Sequence, residues 1–144
     1  MKKWLVVAVV ALLVLGIATP AMAKPAAKPV VVSHPYSFAY RHKIGSVIHI
    51  WGFVRPRSVA TTEATVTIVV QRREGHGSWV ATSGLDTTAS LAAHGMFKHA
   101  ENYKAALTIG RTGRYRIRAV LEWTDTKGNV HVRRSTWRYY RIVK

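Results

Sequence analysis

Residues 114–124 alternate apolar and polar side chains with a period of two. Tyr115, Ile117, Ala119, Leu121 and Trp123 share one face, and Arg114, Arg116 and Arg118 share the other. That period belongs to a β-strand with one side on a core and the other in water or against a partner. Tyr115 and Trp123 are therefore expected in the core. Residues 64–73 alternate less cleanly, with Val66, Ile68 and Val70 on one face and Val69 off the pattern. Residues 46–54 are apolar on both faces, Ile48, Ile50 and Val54 against Val47, Trp51 and Phe53. This predicts a central strand covered from both sides. Further strands are expected at 30–33, 78–83, 87–91, 103–109 and 130–143. Turns are expected at Glu74-Gly75-His76-Gly77, Ala93-His94-Gly95 and Asp125-Thr126-Lys127-Gly128-Asn129, where glycine accepts positive φ at little cost. Parity fails between Arg133 and Tyr140, as it does across a bulge. No apolar stripe of helical period is long enough for a substantial helix. The chain reads as all-β, with strands spaced as in a sandwich or barrel.

The first 23 residues are different. Met1-Lys2-Lys3 is positive, residues 5–18 are almost unbroken apolar, and Thr19-Pro20-Ala21-Met22-Ala23 ends in a small-x-small pattern. This is the layout of a secretory signal peptide, cleaved after Ala23. Its apolar run is shorter than the ~20 residues that span a bilayer, so no transmembrane segment is expected after cleavage. Lys24-Pro25-Ala26-Ala27-Lys28-Pro29 has no apolar periodicity and reads as a flexible, solvated linker. Residues 30–144 are left as one domain. The expected location is extracytoplasmic, at a bacterial cell surface or in the periplasm.

Charge sharpens the picture. The chain has 22 Lys and Arg against 6 Asp and Glu, a net charge of +16 that becomes +14 once Lys2 and Lys3 leave with the signal. Such an excess attracts polyanions: nucleic acid, anionic lipid, or the phosphate and carboxylate polymers of a cell envelope. Cysteine is absent, which rules out disulfides, thiol nucleophiles and thiolate metal sites. The domain must rely on its core, and about 120 residues can bury enough apolar surface for that.

Two segments carry a resemblance. Gly110-Arg111-Thr112-Gly113-Arg114-Tyr115-Arg116-Ile117 resembles the tyrosine corner that enters strand F of immunoglobulin-like sandwiches, with Ile117 in place of the core cysteine. Gly45-Ser46-Val47-Ile48-His49-Ile50-Trp51-Gly52-Phe53-Val54-Arg55-Pro56 and the later Gly77-Ser78-Trp79 are similar to segments of secreted bacterial immunoglobulin-like modules. The resemblance covers residues 44–143. It implies an Ig-like β-sandwich of about seven strands, with the Tyr115 hydroxyl bonded to backbone between Gly110 and Gly113. It implies no catalytic residues, since such modules act as spacers, adhesins and ligand-binding units.

Arg114, Arg116 and Arg118 recur every ~7 Å along one strand face. That spacing follows successive phosphates or carboxylates, which the planar guanidinium fork binds bidentately. Arg134, Arg138 and Arg141 extend the row from the last strand, and Arg72 or Arg73 from the other side. Trp137 and Tyr139 are candidate stacking aromatics, with Trp79, Trp123 and Tyr140 as further rings nearby in sequence. The bland alternative is a solvated face with its aromatics in the core, and like charges stacked across strands oppose each other.

The histidines His34, His42, His49, His76, His94, His99 and His131 show no metal-ligand spacing. The acids Glu63, Glu74, Asp86, Glu101, Glu122 and Asp125 form no pair placed for acid–base work. No nucleophile elbow or phosphate-cradling loop occurs. The sequence therefore points to no enzyme, cofactor or metal. The expected function is a noncatalytic secreted binding module that engages an anionic envelope or extracellular polymer through its basic sheet face. One alternative is a structural, assembly or adhesion module that binds another envelope protein. Another is an extracellular binder of nucleic acid or anionic membrane, although no nucleic-acid signature is present.

Overall fold

The computed structural model describes residues 28–58, 63–92 and 100–144. The expected signal peptide, residues 24–27 of the linker, the turn Ala93-His94-Gly95 and His99 lie outside the described residues. Ten strands are formed among the described residues: β1 (Val31–Val32), β2 (Arg41–Lys43), β3 (Val47–Arg55), β4 (Ala64–Arg73), β5 (Trp79–Ala81), β6 (Thr87–Ala92), β7 (Glu101–Thr108), β8 (Gly113–Thr124), β9 (Val130–Arg134) and β10 (Arg138–Val143). The fold is all-β.

The strands pair in the order β1-β3-β7-β6 on one side and β4-β8-β10-β2 on the other. β6 joins them. Its first residues pair with β4 (Val66 opposite Ala89) and its last with β7 (Leu91 opposite Tyr103), so the sheet curls over on itself. β5 pairs with β4, and β9 pairs with β8. All pairings are antiparallel except β10 with β2, where Ile142 faces His42.

The curl closes over the inward faces. Ile48, Ile50 and Val54 of β3, Val66, Ile68 and Val70 of β4, Tyr103 and Leu107 of β7, and Tyr115, Ile117, Ala119 and Leu121 of β8 are buried together, with Tyr140 and Ile142 of β10. Each large aliphatic or aromatic side chain so buried contributes about 1.5–3 kcal/mol. The alternation read in β8 and β4 is the alternation of this core, and Val69 is a half-buried outward residue.

The outer face of β3 is less covered than its apolar sequence suggests. β3 lies between β1 and β7, yet Val47 keeps 55% of its surface exposed. In the segment before β2, Tyr36 pairs with Trp51 and Phe38 sets its ring, tilted, 4.5 Å from the Trp51 ring. Trp123 also differs from expectation. It packs against the core edge but stays half-buried, its ring stacked on His131 at 5.1 Å. The hairpin outruns the core at that point.

Two close fits fix the other sheet. A side chain at Gly52 would overlap the Tyr103 ring and the Ser33 hydroxyl. The Tyr103 hydroxyl donates to the Ser33 carbonyl at 2.9 Å, and the Phe53 N–H donates to Ser33 Oγ at 2.9 Å. Burial is the main reason that the Tyr103 phenol is pushed far above its ordinary range.

The last strand is broken by a bulge. Arg134 faces Val120 but Arg138 faces Ile117, so Ser135, Thr136 and Trp137 stand against only Arg118 and Ala119. Ser135 fills the gap in the ladder: its N–H donates to the Ala119 carbonyl at 2.9 Å, and its hydroxyl accepts the Ala119 N–H at 2.9 Å. The extra residue resets parity, as bulges do. Arg134 before it, and Tyr139 and Arg141 after it, share the outer face.

The β8–β9 turn is built around one carboxylate. Asp125 lies 2.8 Å from His131 Nε2 and accepts from the N–H groups of Lys127 at 2.8 Å and Asn129 at 2.9 Å. The His131 contact first, and the Asn129 bonds next, hold its carboxyl well below the usual carboxylate range. A carboxyl depressed by folding adds stability above its ordinary value of 3.8, and that stability is lost as pH falls toward the folded value. The thermal midpoint should drop between about pH 5 and about pH 2, and Asp125→Asn should flatten part of that drop. An unchanged acid profile in the variant would mean that the turn does not sense the carboxylate.

Candidate polyanion-binding face

Because β8 turns Tyr115, Ile117, Ala119 and Leu121 inward, Arg114, Arg116 and Arg118 must point outward. The neighbouring strands fill in the face. Gln71 of β4 and Tyr139 of β10 flank Arg116, Arg141 lies opposite Arg114, and Trp79 of β5 lies opposite Arg73. Arg134 joins beside Arg118, and the bulge presents Trp137.

The rings and guanidinium groups interleave. Arg116 Nε donates to Gln71 Oε1 at 2.8 Å, and its guanidinium lies 4.8 Å from the Trp79 ring and 4.3 Å from the Trp137 ring. Arg118 also lies 4.3 Å from Trp137. Trp79 and Tyr139 meet at 5.7 Å. Cations over aromatic faces are worth about 0.5–1 kcal/mol each at exposed sites, and here they hold two long side chains in fixed positions. Burial, then Arg134 and Arg116, lower the Arg118 pKa from its ordinary value. Arg118 Nε is buried with no hydrogen-bond partner.

The face is not neutralised. Among the described residues the carboxylates in close contact with a basic side chain are Glu74, paired with Arg72, and Asp125, beside the His131 ring, and neither contact lies within the row. Glu122 lies on this side toward the hairpin end, opposite Thr65, and at the other end Glu74 lines a groove with Arg73 and Arg114.

Not every expected residue joins. Arg138 lies opposite Ile117, so its register turns it away from the outer row, and it stays exposed at the sheet end. It sits by Tyr140, whose hydroxyl is pushed up to about 12, mainly by burial. Burial first, and the Arg138 charge next, lower the His34 pKa. Arg72 turns to Glu74 and to the Thr112 carbonyl, and Tyr140 is buried. Gln71 was not foreseen: an amide gives no signal of its own and matters here only through its register with Arg116. Tyr40 was missed as well, because its place beside this face depends on β2. That strand has no apolar alternation and forms by parallel pairing with β10.

No protein-family model matches the chain, and no curated protein matches it significantly. No helix among the described residues is long and apolar enough to cross a membrane.

Proposed function

We propose that the protein is an exported immunoglobulin-like sandwich that binds an anionic polymer of the cell envelope or its surroundings, without catalysis. The leader-like first 23 residues support export. The strand orders β1-β3-β7-β6 and β4-β8-β10 support the sandwich topology. So does the Tyr115 hydroxyl, which donates to the Arg111 carbonyl at 2.8 Å from the segment expected to receive it.

One observation carries the binding role. Arg114, Arg116, Arg118, Arg134 and Arg141 share an outer face with Trp79, Trp137 and Tyr139, and ion pairs with acids are absent from that row among the described residues. Repulsion across such a row is relieved when an anion lies along it.

A second reading rests on the opposite sheet. Phe38, with 89% of its surface exposed, and the Trp51 ring beside it form an apolar patch suited to another envelope protein. Salt separates the two. Capture of the protein on envelope fractions should weaken steeply with ionic strength if a polyanion is bound. Capture that is insensitive to salt would favour the apolar patch.

A further inference from the structure

At the start of β8 the basic face deepens into an open pocket of about 290 Å³, whose lining includes Tyr40, Arg73, Trp79, Arg114, Tyr139 and Arg141. The arginines here differ from their neighbours. Arg116 and Arg118 are held against Trp137, and Arg72 is held by Glu74. Arg73, Arg114 and Arg141 are exposed and form no ion pair among the described residues. Arg141 lies directly opposite Arg114, and Arg73 follows the Arg72–Tyr115 pair on the other side of it. Adjacent like charges of this kind oppose the sheet, so the arrangement favours an anion between them.

The aromatic rings give the pocket a second property. Tyr40 and Tyr139 keep 62% and 56% of their surface exposed, and Trp79 stands against Tyr139. A ring-less polymer such as a polyphosphate gains little from these flat apolar surfaces. A sugar ring packs its C–H face on them while its acidic group reaches the guanidinium forks. The volume is at the small end of ligand pockets, about 300–1,000 Å³, which suits one unit of a chain whose remainder runs along Arg116, Arg118 and Arg134.

We infer that this pocket is a subsite for a single acidic sugar residue, a pyranose ring bearing an anionic group, within the polymer. The inference rests on the polyanion-binding reading and adds ring recognition to it.

The test compares three probes at one salt concentration by calorimetry on the purified protein: a galacturonic acid oligomer, a linear polyphosphate of matched charge, and single-stranded DNA. Tyr40→Ala and Tyr139→Ala should each weaken the uronate oligomer about tenfold, within the range that stacking on an aromatic ring supplies, and polyphosphate less than about twofold. Tyr40→Phe should restore most of the affinity. Saturation transfer from aromatic protons to the sugar ring protons should be seen with the unaltered protein, which removes any dependence on how the variants fold. Equal weakening of uronate and polyphosphate, or absent saturation transfer, would overturn the subsite while leaving polyanion binding intact. Tighter binding of DNA with the same dependence on the rings would overturn it in favour of bases. If no probe binds, the parent reading fails as well.

Discussion

Tyr103→Ala is expected to lower the stability of the domain by about 3–5 kcal/mol, the range for a large aromatic leaving a core. Tyr103 is fully buried, and its hydroxyl holds the Ser33 carbonyl. The loss therefore combines a cavity with an unsatisfied backbone acceptor. Gly52→Ala acts on the same contact from the other side, since its methyl group meets the Tyr103 ring. It should cost about 1–3 kcal/mol, the usual range for overpacking. The two effects should not add. In the Tyr103→Ala background the clash with the ring is gone and only the Ser33 hydroxyl stands in the way of the methyl, so Gly52→Ala should cost clearly less than it does alone, a coupling of about 1–2 kcal/mol. Denaturant unfolding of the four proteins measures this, and additive losses would mean that Gly52 and Tyr103 do not meet.

The second large effect concerns binding. Changing Arg114, Arg116 and Arg118 together to Gln should weaken an anionic polymer such as heparin about a hundredfold or more, since hydrogen bonds to charged groups contribute about 1.5–3 kcal/mol each. The slope of log affinity against log salt should shrink by about one for each phosphate-like group that is no longer neutralised. Stability should fall modestly, by about 1 kcal/mol, because Arg116 gives up its Gln71 bond and its stacking on the rings, while the repulsion between neighbours is relieved. Replacing Lys24, Lys28 and Lys144 instead removes the same net charge from the chain ends. Binding must suffer far more from the ladder triple than from the terminal triple. Equal weakening would reduce the face to a solvated surface.

The sequence revealed what depends on neighbours along the chain. The β8 alternation is clean because one face is core and the other is not, and the bulge near Ser135 was visible as a break in parity. What depends on pairing was not legible. Arg-His-Lys forms β2 because β10 supplies hydrogen-bonding partners, with no apolar pattern to announce it. Trp51 and Phe53 look like the second buried face of β3, but both are only half-buried, Trp51 beside the Phe38 ring and Phe53 beside the Arg55 guanidinium. The candidate site divides in the same way. Arg114, Arg116 and Arg118 share a face by local geometry, whereas the register that turns Arg138 away from that face follows from one extra residue in the bulge.

The parallel pairing of β2 with β10 has a mechanical consequence. Arg41, His42 and Lys43 lie beside Arg141, Ile142 and Val143, with the Ile44 N–H donating to the Val143 carbonyl at 2.8 Å and the Arg141 N–H donating to the Tyr40 carbonyl at 2.8 Å. Tension that enters β2 at its first residue and leaves β10 at its last strains all these bonds at once, in shear, so they cannot open one at a time like a zip. A domain holding a polymer on one face while being tugged along this direction would yield as a unit, at a higher force than a hairpin peeled from its end.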